Sequence, residues 1–256
     1  MSGPAGNLLV VGRPFTGDLM ELEREIERNV SAALAEDVGT GDVTAGLTPD
    51  AANARAHIVS RQDAVLCGQA WCELCFRTLD PDSRVHWHVA EGAKVSRGQT
   101  VCDLEGKARA LLTGERTALN FLQMLSGVST TTSRYVAAVV GTRAKIVDTR
   151  KTLPGLRAAE KYAVRIGGGM NHRMGLYDAI LLKENHIAAF GGVAPALVAA
   201  KNAATHEIWI QVEVETLDQL KEALAGGATM ILHLYLDLDS HHVALRLRSS
   251  WEIPLC

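Results

Sequence analysis

Residues 179–215 read AILLKENHIAAFGGVAPALVAAKNAATHEIWIQVEVE. An apolar run ends in the charged group at Lys183, apolar residues then recur at helical spacing over 193–204, and a second apolar run spans 208–215. A strand, a helix and a second strand in this order predict a parallel pair joined by a crossover. The same alternation extends both ways: 217–225 reads as a helix and Thr229 begins another strand, while 144–148 reads as a strand and 154–166 as a helix. Their even spacing favours an α/β barrel over an open doubly wound sheet. The only candidate glycine fingerprint, GTGDVT at 39–44, lacks the third glycine and the preceding strand of a dinucleotide site.

Upstream, the pattern changes. Leu19, Leu22, Ile26, Val30, Ala33 and Leu34 predict a helix over 18–35, and 54–66 reads as a strand. A helix at 68–79 and short strands at 84–105 follow, then a helix over 111–130. The punctuation Gly92-x-x-Val95-x-x-Gly98 also occurs in lipoyl-type carrier domains, but Lys107 is too close to it to be a modified hairpin lysine. The expected organisation is a leader at 1–17, a sandwich-like N-terminal α/β domain at 18–115, an α/β barrel with the catalytic rim at 116–232, and an atypical tail at 233–256.

Bulk composition excludes several classes of function. Of 256 residues, 47% are hydrophobic and 21% charged, which is ordinary globular usage. A net charge of −3 gives no global field to recruit nucleic acid or membrane. No apolar run approaches the roughly 20 residues of a membrane span. The N-terminus lacks a basic start followed by an apolar core, so the expected compartment is the cytoplasm. Five cysteines are too few and odd in number for a disulfide framework, and Cys72-Glu-Leu-Cys75 has no second ligand pair, so reduced thiols are expected.

Three predicted strands end in charge: at Asp148-Thr-Arg150-Lys151, at Lys183-Glu-Asn-His186 and at Glu213-Val-Glu215. Barrel enzymes build their sites at such strand ends. Alternation puts Glu213 and Glu215 on one face, where two carboxylates require a cation, a metal or a ligand. Between residues 143 and 183 stand nine Lys or Arg against three acids, in a chain that is net negative. Arg157, Lys161 and Arg165 read as a solvated helix face. Arg150, Lys151, Arg173 and Lys183 suit a polyanionic small ligand, Arg by bidentate grip and Lys as a point charge. The run Gly167–Gly169 reads either as a close backbone approach before Asn171-His172-Arg173 or as a tight turn.

These stretches carry a family signature. AEDVGTGDVT at 35–44, TGERTALN at 113–120, DTRKTLPG at 148–155, GGGMNHRMGL at 167–176, KENH at 183–186 and VEVE at 212–215 resemble the quinolinate phosphoribosyltransferases from about Leu19 to Leu232. The resemblance implies an N-terminal α/β layer, a barrel, and a dimer or larger homo-oligomer with shared active sites. It implies quinolinate, phosphoribosyl pyrophosphate and Mg²⁺, with nicotinate mononucleotide, pyrophosphate and CO₂ as products. By the same resemblance Arg116 serves the neighbouring subunit's site, and Arg150, His172, Arg173 and Lys183 hold quinolinate's carboxylates. Thr149 joins the substrate-binding set, Lys151 lies near pyrophosphate and ribose, and Glu215 handles the ribose hydroxyls and the metal. Lys151 and Glu215 are the expected catalytic residues.

After Ala228 the sequence leaves the pattern. Leu234 falls where the family has an aspartate, Asp237 is the nearest acid beyond it, and residues 228–256 contain no glycine for a phosphate-binding loop. The expectation is a replaced or shortened C-terminus and an incomplete barrel. Two other readings accompany the enzyme: a homologue acting on another substrate, and a non-catalytic chain that pairs with an intact copy.

Overall fold

The computed structural model describes residues 19–142, 144–205 and 208–233. The leader, Arg143, and the tail with Leu234 and Asp237 lie outside the described residues. Contacts divide the chain between His172 and Arg173 into two compact units.

The first unit begins with helix α1 (Leu19–Val38) and a 3-10 turn (Ala45–Leu47). Strands β1 (Asn53–Val59) and β2 (Ala64–Val65), helix α2 (Gln69–Leu79), and strands β3 (Arg84–Trp87), β4 (Lys94–Val95) and β5 (Thr100–Lys107) follow. Helices α3 (Ala108–Ala138) and α4 (Arg157–Ile166) complete it. The strand expected over 54–66 is broken into β1 and β2, which join different sheets: β1-β5-β3 is antiparallel, and β2 pairs with β4.

The core of this unit forms because each helix turns one apolar stripe inward. Ile26, Val30 and Leu34 of α1 meet Trp71, Cys72, Cys75 and Phe76 of α2 and Ala118, Phe121, Leu122 and Leu125 of α3. The thiols of Cys67, Cys72, Cys75 and Cys102 are free and buried. Helix α3 is longer than expected, at 31 residues. It runs unbroken through position 115, the expected domain boundary.

The second half of α3 is rich in hydroxyls for a local reason. Leu66 bonds to the β4 side, donating to Ala93 O at 3.0 Å and accepting from Gly92 N at 2.8 Å. Its neighbours face the other way and find α3. Val65 N donates to Thr130 Oγ1 and Val65 O accepts from Ser129 Oγ, both at 2.8 Å. Ser126 Oγ accepts from Cys67 N at 2.9 Å and donates to Cys67 O at 3.1 Å. The start of α2 has no side-chain cap of its own. Glu91 supplies one from a distant turn, accepting from Gly68 N at 2.8 Å and Gln69 N at 3.2 Å.

The second unit is the α/β part. Strand β6 (Ala179–Leu182) is followed by helices α5 (Glu184–Phe190) and α6 (Val193–Ala203), strand β7 (Trp209–Val214), helix α7 (Leu217–Ala225) and strand β8 (Ile231–His233). The strands lie in the order β6-β7-β8, all parallel, as the alternation predicts. Val212, Val214 and Ile231 from the sheet pack against Leu197, Leu220 and Ala223 of the helices. Thr216 caps α7 through its side chain, accepting from Gln219 N at 3.2 Å.

Candidate active site

The predicted strand at 144–148 is reduced to one parallel bridge, Val147 to Met170. Met170 N donates to Ile146 O at 2.9 Å and Asp148 N to Met170 O at 3.0 Å. That pairing brings the strand end beside Asn171 and His172. The Asp148 carboxylate is the hub: Oδ1 accepts from the Lys161 ammonium and from His172 N at 2.8 Å, and Oδ2 accepts from Asn171 Nδ2 at 2.6 Å. Lys161 also donates to His172 O at 3.0 Å.

Lys161 corrects the sequence reading. It is 1% exposed and does not belong to a solvated face. Ala159 and Ala163 of α4 face the apolar core. Lys161 lies two residues from each, about 200° around the helix, and that side is covered by the strand end with its carboxylate. A buried ammonium beside a buried carboxylate is tolerated because each satisfies the other.

The chain past Asp148 holds three expected site residues. Thr149 Oγ1 accepts from Lys151 N at 3.1 Å, which turns the backbone locally. Lys151 is exposed. Arg150 is half-buried, and its Nε is shielded from solvent with no hydrogen-bond partner among the described residues. The loop is anchored further on, where Gly155 O accepts from Arg28 Nη2 at 2.8 Å and Asn29 Nδ2 at 3.2 Å.

The glycine run serves the scaffold. A Cβ on Gly167 would lie 2.4 Å from Ser129 O, and one on Gly169 would lie 2.8 Å from both Thr132 and Val164. Gly168 has φ +87°. The close approach read from these glycines is therefore to α3, and it seats the segment that leads into Asn171 and His172.

Arg116 is exposed on α3. Its helix is tied to the 35–44 motif: Thr113 Oγ1 donates to Asp42 Oδ2 at 2.9 Å and Thr117 Oγ1 to Asp37 Oδ2 at 3.3 Å. Asp42 also accepts from Thr44 N and Ala45 N, and the bond from Ala45 is the main cause holding its carboxyl below the usual range. Elsewhere in this unit, a largely apolar cavity of about 550 Å³ lies between α3 and the strand end, lined by Met124, Val128, Tyr135, Ile146 and Val147 among others. None of the expected site cations lines it.

In the second unit, Arg173 donates to Ala179 O at 3.3 Å, and Asp178 folds the intervening loop by accepting from Met174 N at 2.6 Å and Gly175 N at 3.1 Å. Lys183 is exposed at the C-terminal end of β6, and its backbone N–H donates to His186 Nδ1 at 3.0 Å. That bond leaves the His186 proton on Nε2. Glu213 and Glu215 differ from the expected inward pair. Glu213 is buried in β7, whereas Glu215 lies just past the strand, exposed, with its N–H donated to Gln219 Oε1 at 2.8 Å.

Asp148, Lys161, Asn171 and His186 were absent from the expected site set. Asp148 and Asn171 had a signal, since they flank the expected residues inside the quoted motifs. Lys161 had none, because a lysine opposite an apolar stripe ordinarily faces water.

Parallel β-α units that present Arg, Lys and carboxylate groups after their strands define an α/β enzyme for anionic small molecules. Residues 42–126 match the family model described as "Quinolinate phosphoribosyl transferase, N-terminal domain", and residues 128–251 match the corresponding C-terminal domain. The chain belongs to the quinolinate phosphoribosyltransferase family. The C-terminal match runs to residue 251, beyond the Leu232 at which the expected likeness ended.

Among curated relatives, a probable nicotinate-nucleotide pyrophosphorylase (carboxylating) of Bacillus subtilis (strain 168) is 43% identical over 208 residues, 81% of this chain and 72% of that protein. The nicotinate-nucleotide pyrophosphorylase (carboxylating) of Mycobacterium leprae (strain TN) is 44% identical over 210 residues, 79% of this chain and 72% of that protein. Among solved structures, the nicotinate-nucleotide pyrophosphorylase of Francisella tularensis superposes with a TM-score of 0.87 at 39% identity, covering 91% of this chain and 82% of that one.

Proposed function

We propose that this chain transfers the phosphoribosyl group of phosphoribosyl pyrophosphate to the ring nitrogen of quinolinate, with loss of CO₂, to give nicotinate mononucleotide. The observation that carries the reading is Arg150: its buried Nε has no partner among the described residues, which is costly unless an anion meets it. A pyridine dicarboxylate supplies that anion. By the family resemblance, Arg150, His172, Arg173 and Lys183 are assigned to its two carboxylates, with Thr149 in the substrate-binding set. Lys151 takes the pyrophosphate and ribose, and Glu215 takes the ribose hydroxyls.

The chemistry fits these groups. As pyrophosphate leaves, positive charge develops on the sugar carbon, and a carboxylate such as Glu215 stabilises it. The carboxylate clamps hold the pyridine nitrogen in line for attack. Loss of the adjacent carboxylate leaves its electron pair on a ring carbon beside the cationic nitrogen, which stabilises it until a proton arrives. Among the described residues no group of three His, Cys, Asp or Glu is placed to hold a metal. The exposed Glu215 fits Mg²⁺ carried chiefly by the substrate's phosphates, and the ion would offset the charge of the leaving group. Arg116, exposed on α3, suits a site completed by a second copy in a homodimer or larger oligomer. No described helix is long and apolar enough to cross a membrane.

The test is direct. Purified chain incubated with quinolinate, phosphoribosyl pyrophosphate and Mg²⁺ yields nicotinate mononucleotide, read by mass spectrometry. Turnover of nicotinate with none of quinolinate would overturn the dicarboxylate reading, and folded protein that forms neither product would overturn the activity.

A further inference from the structure

Asp148 and Lys161 grip the backbone of one residue, His172, from its two sides. Asp148 Oδ1 accepts the His172 N–H at 2.8 Å, and the Lys161 ammonium donates to the His172 carbonyl at 3.0 Å while pairing with Asp148. The two side chains are 8% and 2% exposed. Asn171 donates to the same carboxylate and to Lys161 O at 2.8 Å, so residues 171–172 are bound on several sides. Asp148 immediately precedes Thr149 and Arg150. The clamp therefore fixes the backbone of one proposed quinolinate contact, His172, against the chain that carries another, Arg150.

Stability alone is a poor reason to keep such a pair. Desolvating two charges costs several kcal/mol each, and apolar replacements of similar volume often fold as well or better. An ion pair does supply direction: a leucine and a methionine can fill the space, but neither can bond both the N–H and the C=O of one residue. Misplacing a binding group by about 1 Å costs on the order of a hundredfold in rate.

We infer that Asp148 and Lys161 are positioning residues for the quinolinate pocket: they set the distance between the His172 backbone and Arg150, and their loss is felt in quinolinate binding when the fold is intact. This rests on the function proposed above.

The decisive variant is the double substitution Asp148→Leu with Lys161→Met, which removes both charges at once. Asp148→Asn, which keeps an acceptor for the His172 N–H, is the milder companion should the double variant fold poorly. We expect the double variant to melt at or above the temperature of Lys161→Met alone, which strands a buried carboxylate. Its quinolinate KM and the dissociation constant by calorimetry should rise at least tenfold, with the KM for phosphoribosyl pyrophosphate changing less than threefold. Hydrogen exchange gives a readout independent of substrate, and the His172 amide should lose protection. A folded double variant that binds quinolinate as tightly as the parent chain and keeps the His172 amide protected would overturn the inference. If the parent chain itself does not bind quinolinate, the proposed function fails instead, and amide protection alone decides the clamp.

Discussion

Tyr162 donates its hydroxyl to Glu91, 71 residues away in the chain, at 3.1 Å. The same carboxylate caps α2, so α4 reaches the start of α2 through one side chain. The Tyr162 ring also packs on Trp71, with centroids 5.4 Å apart. Tyr162→Phe keeps the ring contact and removes only the donor. Because Glu91 retains two backbone donors, the expected loss is about 1 kcal/mol in urea unfolding. A loss several times larger would show that the Glu91 cap depends on the tyrosine.

Gly167 and Gly127 make opposite predictions for one substitution. Gly167→Ala forces a Cβ to within 2.4 Å of Ser129 O, a backbone atom that cannot step aside. It should destabilise the chain by more than about 2 kcal/mol, as overpacking does. Gly127 lies inside α3 with nothing within 4 Å of the position its Cβ would take. Gly127→Ala should gain up to about 1 kcal/mol from helix propensity. Thermal melts of the two variants, moving in opposite directions, check both.

Arg150→Met separates binding from stability. The buried Nε has no hydrogen-bond partner to lose among the described residues, so the melting temperature should hold or rise. Quinolinate affinity should fall at least tenfold, since a charge-assisted contact contributes about 1.5–3 kcal/mol. Calorimetric titration reads this, and unchanged affinity would remove Arg150 from the pocket.

The four buried thiols set a limit at alkaline pH. Burial is the main cause that pushes Cys67 and Cys72 well up and Cys75 and Cys102 up to about 12. They should therefore ignore a thiol reagent at pH 8 until the chain is unfolded, as peptide mapping by mass spectrometry would show. An unfolded cysteine gives up its proton near pH 8.5, so above that the folded state holds more protons. The thiols' contribution to stability is whole below pH 8.5 and is lost as the pH climbs toward 12. The urea midpoint should be lower at pH 10 than at pH 8.

Much of this was legible in the sequence, for physical reasons. The parallel strands β6, β7 and β8 followed from apolar runs alternating with helical spacing, a pattern that packing on both faces imposes. The motif residues Lys183 and Glu215 do lie directly after strand ends, and Arg150 follows the isolated bridge at Val147. The stretch at 144–148 was less legible, because a single bridge to Met170 leaves most of its length without regular pairing. The function of the glycine run was read only in part: glycine signals that a backbone comes close, not to what. Lys161 was misread because helix amphipathicity assumes one buried side, and α4 is buried on two. Glu215 was placed on the inward face by strict alternation, but β7 ends at Val214, and beyond a strand end alternation no longer governs direction.

The hydroxyl row on α3 has a consequence for how this chain behaves in a crowd. The outer rim of a two-stranded ribbon ordinarily offers alternate N–H and C=O groups to any extended segment that drifts past, which is how sheets recruit foreign strands. Here Ser126, Ser129 and Thr130 occupy those groups on Val65 and Cys67, so the rim is sealed by a helix of the chain itself. Replacing the three by alanine would cost more than hydrogen bonds: it would turn a closed border into a template for aggregation.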